Sequence, residues 1–336
     1  MTIRLGVQVS GAATDPSALG ALAELVEHLG YDSLWTSEAY GSDAVAPLSW
    51  VAARTKRISL GTGIAQMAAR TPAMTAMTAM TLDALSGGRF RLGLGASGPQ
   101  VVEGWHGVPY GRPLVVTREY IEIVRAIVAR ERPLEFDGAS FQVPYRGRDA
   151  SGLGRPLKIT LPPRPHLPIY LAAIGPKNVR LACEIADGLL PFFWSPTRWS
   201  AVYEEVVAGR RPGFDIAAIV DVAVGDDIEA CRDALRPHFA LYIGGMGAQG
   251  RNFYNDLITR YGYEAEASRI ESLFLSGDRA GAARAVPGSL IDDLALVGPR
   301  GHIADQLEAW KVSPVSTLIV NSNDPSTLSL LADLVR

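Results

Sequence analysis

The residues of this 336-residue sequence that could do chemistry fall into a few short stretches. Glu38, in DSLWTSEAYG at 32–41, could serve as an acid, a base or a partner to a ring nitrogen; the plainer alternative is a salt bridge. Glu103 and His106, in EGWHG, put a carboxylate and an imidazole in one loop, where they could form a proton-transfer pair over a substrate. A histidine buried for packing would look the same. Gly175, Pro176 and Lys177, in AAIGPKN at 172–178, stand between an apolar run and a helical pattern. Free backbone N–H groups and the positive end of a helix dipole at that junction would receive a phosphate. The alternative there is a capped turn with a surface lysine. Trp194 and the phenylalanines before it could line a planar apolar pocket, or simply pack.

Gly93-Leu-Gly95-Ala-Ser-Gly98 matches the GxGxxG spacing of a dinucleotide-binding turn. That use requires a helix to begin on the glycines, so that its N-terminus faces the pyrophosphate. Pro99 and the irregular QVVEGWHGVPYGRP follow instead, which favours a flexible backbone passing close to a planar ligand. The sequence holds no HxH, no HExxH and no carboxylate cluster, so no metal is expected. It has no nucleophile elbow either. His28, His238 and His302 fall on helical patterns and are expected away from the site. Cys183 and Cys231 are too few for a disulfide framework. The net charge of −3 gives no positive field for nucleic acid or an acidic membrane. The N-terminus lacks the features of a signal peptide and no apolar run has transmembrane length, so a cytoplasmic enzyme acting on a small molecule is expected.

The elements that position these residues alternate between two periods. Strand-like runs at 4–9, 33–38, 58–64 and 90–96 are separated by helical patterns, and further strands are read at 169–173, 189–193, 219–224 and 317–320. Asp15-Pro16-Ser17 opens a helix whose apolar face is Leu19, Leu22, Leu25, Val26 and Leu29, and Gly30 ends it. Met74, Met77 and Met80, at helical spacing, are read as core. Eight strands alternating with helices imply a parallel sheet covered on both faces, closed as a (β/α)8 barrel. With 48% apolar residues, the whole chain, 1–336, is read as one domain, with insertions at about 97–112, 131–165 and 243–298. In such a barrel the active site lies at the C-terminal ends of the strands. That criterion selects Gln8 and Ser10, Glu38 and Tyr40, Gly63 to Gln66, Gly95 to Pro99, Ala173 to Lys177, and Phe192 to Ser195.

Taken in order, DSLWTSEAYG, GTGIAQ at 61–66, TLDALSGGRFRLGLGASGP at 81–99, GWHG at 104–107, REY at 118–120, AAIGPKN and EIADG at 184–188 resemble the luciferase-like family. The branch they resemble is the F420-dependent one, which holds methylenetetrahydromethanopterin reductase. The resemblance spans nearly the whole chain. It implies a TIM barrel with insertions, commonly a homodimer, that binds coenzyme F420 at the strands' C-terminal ends and transfers a hydride. It also implies a cis peptide at Gly63-Ile64, ring-edge contacts from Ile64, Ala65, Ser97 and Gly98, and a phosphate seat at Gly175, Pro176 and Lys177. Gln8, Gly95 and Ala173 are expected beside the cofactor. Its acidic tail would run toward Arg70, Arg146, Arg148, Lys158 and Arg164. Sugar-phosphate dehydrogenases of the branch carry a Glu after the fourth strand and a His after the second. Ser97-Gly98-Pro99 and Glu38-Ala39-Tyr40 stand there instead, which favours reduction of an activated C=C, C=N or C=O bond. The alternatives on the same barrel are an FMN-dependent monooxygenase and a non-catalytic flavin- or deazaflavin-binding protein.

Overall fold

The computed structural model describes residues 3–9, 14–247 and 250–336. Eight parallel strands form the barrel: β1 (Arg4–Val9), β2 (Ser33–Thr36), β3 (Ser59–Thr62), β4 (Phe90–Gly95), β5 (Ile169–Ala172), β6 (Gly188–Leu190), β7 (Asp215–Val224) and β8 (Thr317–Asn321). Each pairs with the next, and β8 closes the ring on β1 with Arg4 opposite Thr317 and Gly6 opposite Ile319. This is the (β/α)8 barrel that the alternation of periods implies.

Local sequence explains the first unit well. Asp15 caps the helix Pro16–His28 by accepting from Ser17 N at 2.9 Å and Ala18 N at 3.1 Å. Its loss would cost ~1 kcal/mol. Leu19, Leu22, Ala23 and Val26 are buried on one face. Gly30 then turns the chain at φ +84°, a conformation that favours glycine.

Inside the barrel, alternate strand residues pack around the fully buried Trp35, whose indole donates to Ser33 Oγ at 2.9 Å and meets Tyr170 edge to face at 5.3 Å. Leu190, Ala217 and Ile319 complete this layer, and Ile64, Ala172 and Ile219 lie against it. Gly61 is required here, because a methyl group at that position would overlap the Trp35 ring. Truncating Trp35 to Ala would cost ~3–5 kcal/mol. Below, Asp215 accepts from Tyr170 Oη at 2.9 Å and Ser316 Oγ at 2.6 Å and pairs with Arg4 at 2.9 Å. The barrel is therefore closed at its N-terminal end and floored by apolar side chains beneath its mouth.

Several expectations are corrected. The excursion after β7 begins near residue 225, not 243, with the helix Ile228–Ala240, and returns through a further strand, Ala295–Gly298, which lies parallel to Asp221–Val224. A four-residue apolar run following a helical pattern carries too little periodicity to be read as a strand. The stretch 131–165 starts and ends on the far side from the mouth, because the helix Pro113–Ala129 runs against the strands. There Lys158 Nζ donates to Glu131 O at 3.0 Å, and Arg164 pairs with Asp83 near the end of the helix Pro72–Leu85. Neither stands at the rim. Its hairpin, Phe136–Asp137 with Gln142–Val143, is held by the Glu119 carboxylate, which accepts from Ala139 N, Ser140 N and Phe141 N at 2.7, 2.8 and 3.0 Å. Met80 is core, but Met74 and Met77 are half exposed. Successive i, i+3 steps drift around a helix, and these two fall outside its buried face. Among the described residues no helix is long and apolar enough to cross a membrane, and no group of three or more His, Cys, Asp or Glu could hold a metal.

Candidate active site

The mouth is built from the strand ends. After β3 the Gly63-Ile64 peptide is cis, and the chain continues as Ala65–Gln66 beside Leu94–Gly95 of β4. Gly63 N donates to Thr36 O at 2.7 Å, and Ile64 O accepts from Glu38 N at 3.2 Å. The Ile64 side chain lies over Gly95, where any β-carbon would overlap it. Ala65, its neighbour, is buried in the outer core between strands and helices.

Glu38 holds this bulge from behind. Its carboxylate accepts from Gln66 N at 2.7 Å and Ala44 N at 3.1 Å, and is gripped at both oxygens by Arg70, which also pairs with Asp43. The hydrogen bond that Arg70 donates to Glu38, together with the charges of Glu38 and Asp43, outweighs burial and holds the Arg70 guanidinium above its usual range. Gln66 Nε2 donates to Ala39 O at 2.8 Å, which ties the same two segments a second time.

At the end of β4, Ser97 takes φ +60°, a left-handed conformation that costs a non-glycine residue ~1–2 kcal/mol. Contrary to the sequence reading, a short helix, Pro99–Gly104, begins directly after Gly98. It belongs to a closed barrel, so the dinucleotide reading of GLGASG still fails on architecture. Glu103 accepts from Tyr110 N at 3.2 Å and stabilises its own loop. His106 is held by its backbone N–H to Val101 O, while its Nε2 is buried without a partner. The two side chains share the loop but no bond joins them. Trp105 at the tip lies 6.5 Å from the Tyr40 ring, bridging the loops that follow β4 and β2.

After β5, Ala173 is buried and Gly175 caps the helix Pro176–Ile185 without any side-chain hydrogen bond. Pro176 has no N–H, and no side chain caps the helix, so the first-turn N–H groups of Lys177 and Asn178 take no side-chain cap. The turn is fixed from behind, because Tyr203 Oη donates to Ile174 O at 2.5 Å and Tyr203 is stacked on Trp194 at 5.0 Å. Trp194 Nε1 is buried and unpartnered. Phe193, three residues past β6, takes φ +58°.

On the other side of the mouth Gln8 and Phe192, which the sequence reading selected, stand with Asn321, Asp221, His238, Tyr242 and Tyr254, which it did not. Pairing sets Val7 opposite Val320 and Asn321 opposite Asp221, so Gln8, Asn321 and Asp221 follow one another around the rim on β1, β8 and β7. Asn321 Nδ2 donates to Asp221 Oδ1 at 2.7 Å, and His238 Nε2 lies 3.4 Å from Asp221 Oδ2. Burial pushes the Asp221 carboxyl up, against the His238 charge and the Asn321 hydrogen bond. Both polar atoms of Gln8 are buried with no partner. Phe192, Tyr242 and Tyr254 wall this side, with Tyr242 4.9 Å from the His238 ring and 4.7 Å from Phe192. Burial, then the nearby Asp221 and Tyr40, push the Tyr242 hydroxyl up. His238 was expected away from the mouth; the excursion after β7 folds its helix back over the rim. Strand alternation could have found Asp221, which shares the inner face with Ala217 and Ile219, but nothing local marks His238. Of the remaining expected residues, Ser10 lies outside the described residues.

The structure thus gathers Gln8, Gly63, Ile64 and Gly95 at one level of the mouth, with Ser97, Gly98, His106 and the Gly175–Lys177 turn around the ends of β4 and β5. Residues 1–317 match the family model described as luciferase-like monooxygenase. A Mycobacterium tuberculosis protein provisionally named a coenzyme F420-dependent oxidoreductase is 43% identical, over 99% of each chain. The 5,10-methylenetetrahydromethanopterin reductase of Archaeoglobus fulgidus is 27% identical, over 89% of this chain and 87% of its own. Among solved structures, the coenzyme F420-dependent tetrahydromethanopterin reductase of Methanopyrus kandleri superposes with a TM-score of 0.79 at 21% identity, over 99% of this chain and 98% of that one, a likeness of fold. A family match over residues 1–317, carried on a closed parallel barrel, places this chain in the luciferase-like monooxygenase family.

Proposed function

We propose that the protein is a coenzyme F420-dependent oxidoreductase, which transfers a hydride between the deazaflavin C5 and a small organic substrate with an activated C=C, C=N or C=O bond. The observation that carries this reading is the shelf made by Ile64 over Gly95, with an uncapped helix start at Gly175–Lys177 on the neighbouring strand. A planar ring fits the first and a phosphate the second. The relative at 43% identity supports the deazaflavin in particular.

In this reading Ile64, Gly95, Ser97 and Gly98 hold the ring, with Ala65 and Ala173 behind it, and Lys177 with the helix N–H groups holds the phosphate. When bound in its reduced form, the deazaflavin supplies a hydride. The chain's share is to bind, to orient the reacting carbon and to move a proton. Glu38 is then a positioning residue, since its oxygens are already taken by Arg70, Gln66 N and Ala44 N. Glu103 secures its loop, and His106 keeps a free buried nitrogen facing no protein partner. From the resemblance alone, a cytoplasmic homodimer goes with this function; light scattering on the purified protein tests the assembly.

The deciding experiment is a fluorescence titration with oxidised F420, FMN and NADPH under identical conditions. Micromolar or tighter binding of F420 alone supports the proposal. Preference for FMN would move the protein to monooxygenation, because a 5-deazaflavin does not form the oxygen adduct that such chemistry needs.

A further inference from the structure

We propose that the rim of β1, β7 and β8 is the proton-transfer side of the active site: Asp221 exchanges a proton with bound substrate, His238 links it to solvent, and Gln8 and Asn321 orient the two. The inference rests on the hydride-transfer reading above and assigns the half of the reaction that the cofactor cannot perform.

Three observations converge on it. Asp221 is only 4% exposed, yet it stands at the C-terminal end of its strand, on the inner face it shares with Ala217 and Ile219. A buried carboxylate is retained at such a place at a cost in solvation, which is offset here by one amide and one imidazole. His238 Nε2 is buried 3.4 Å from Asp221 Oδ2 without a hydrogen bond formed between them, while its side chain as a whole is 34% exposed, so the ring stands between the carboxylate and water. Gln8, next along the rim beyond Asn321, keeps both its amide atoms buried and unpartnered. A β-carbon on Gly63 would lie 3.1 Å from Gln8 Oε1, which fixes that amide beside the bulge. An amide with neither end satisfied, one strand beyond Asn321 on the same rim, is suited to a substrate carbonyl or hydroxyl.

The groups that face Asp221 are Asn321 from β8, His238 from the helix Ile228–Ala240 and Tyr242 from the turn after it; the adjoining strand sets Ala295 beside it. The aromatic wall of Phe192 and Tyr242 selects a planar, apolar body. The substrate class is therefore an uncharged conjugated or aromatic carbonyl compound.

For an enone the step balances as follows. The β-carbon accepts the hydride, the π electrons of the C=C bond move toward the carbonyl, and the α-carbon takes the proton from Asp221. Asp221 is left as a carboxylate, and water restores its proton through His238. The product gains a hydride (two electrons and one hydrogen nucleus), which a bound reduced deazaflavin would supply, and a proton, which Asp221 supplies.

Two measurements on the full chain test this. In protein labelled with 13C at aspartate carboxyls, one signal is expected to titrate well above the ordinary carboxylate range. It should be absent from Asp221→Asn and move higher still in His238→Gln. A Asp221 signal that titrates in the ordinary range, or that ignores His238→Gln, overturns the proposal whether or not F420 binds. With reduced F420 and cyclohex-2-enone as the probe, Asp221→Asn should lower kcat about 100-fold while the F420 Kd stays within about twofold. His238→Gln should lose about tenfold and recover with added imidazole. An Asp221→Asn protein with wild-type kcat refutes the assignment. Failure of the wild type to bind F420 refutes the cofactor reading instead, and the carboxyl titration still reports on the pair.

Discussion

The Arg70 guanidinium grips both carboxylate oxygens of Glu38, and through them the end of β2 is tied to the backbone just past the Ile64 bulge. The pair is mostly shielded from water, with side-chain exposures of 18% and 9%. Removing one member of such a pair leaves the other buried and uncompensated.

Glu38→Ala is accordingly expected to lower unfolding free energy by ~3 kcal/mol and to weaken F420 binding, because the shelf loses its support. Urea denaturation and cofactor titration read the two effects. If Glu38→Gln keeps full cofactor affinity and stability but loses turnover, Glu38 is a proton-transfer group after all.

Gly95→Ala should leave the fold intact and displace Ile64, since the added methyl group occupies the space of that side chain. We expect F420 affinity to fall at least about tenfold, or ~1.4 kcal/mol, with near-wild-type thermal unfolding. Unchanged affinity would mean that the ring does not rest on this shelf.

Lys177→Ala should weaken F420 about tenfold, ~1.4 kcal/mol, by removing a charge from the open helix start. The loss should shrink as salt is raised, because exposed charges are screened. A loss that salt does not alter would point to a local folding defect and not to a phosphate contact.

Glu27 offers a test of pH-dependent stability. Burial alone would raise its carboxyl, but the backbone N–H groups of Arg57, Ile58 and Lys56, with the Arg57 charge, outweigh it and hold it below its usual range. A folded-state value below the unfolded one gives stability that is present above about pH 4.3 and is lost as pH falls through the folded value. Glu27→Gln should therefore be less stable than wild type at neutral pH, with the gap closing in acid. Denaturation midpoints from pH 3 to 7 that run in parallel would count against this.

Barrel strands were readable because each pairs a short apolar run with an amphipathic helix; β1 and the helix from Pro16 needed only local patterning and a cap. The glycines of β4 were also legible as a close approach, and Gly95 lies directly against the Ile64 side chain, whereas the cis peptide at Gly63 came only from the family resemblance. What escaped depended on distance. Glu38 is made structural by Arg70, far along the chain, and no local pattern shows which way a carboxylate will be satisfied. Arg164 and Lys158 were given to the wrong end of the barrel because charge alone does not say which way a helix runs. His238 reaches Asp221 only after an excursion folds back.

That excursion leaves the barrel after Val224 and rejoins it at Gly298, and these two residues are opposite each other in the extra strand pairing, with Gly225 N bonded to Gly298 O at 3.2 Å. Departure and return at one point make the intervening helices a cassette with a single seam. Exchange between homologous chains at that seam would replace Tyr242, Tyr254 and His238 together while leaving Phe192, Asp221, Asn321 and the Ile64–Gly95 shelf in the host barrel. Under the proposed function, substrate choice would thus be inherited separately from cofactor chemistry.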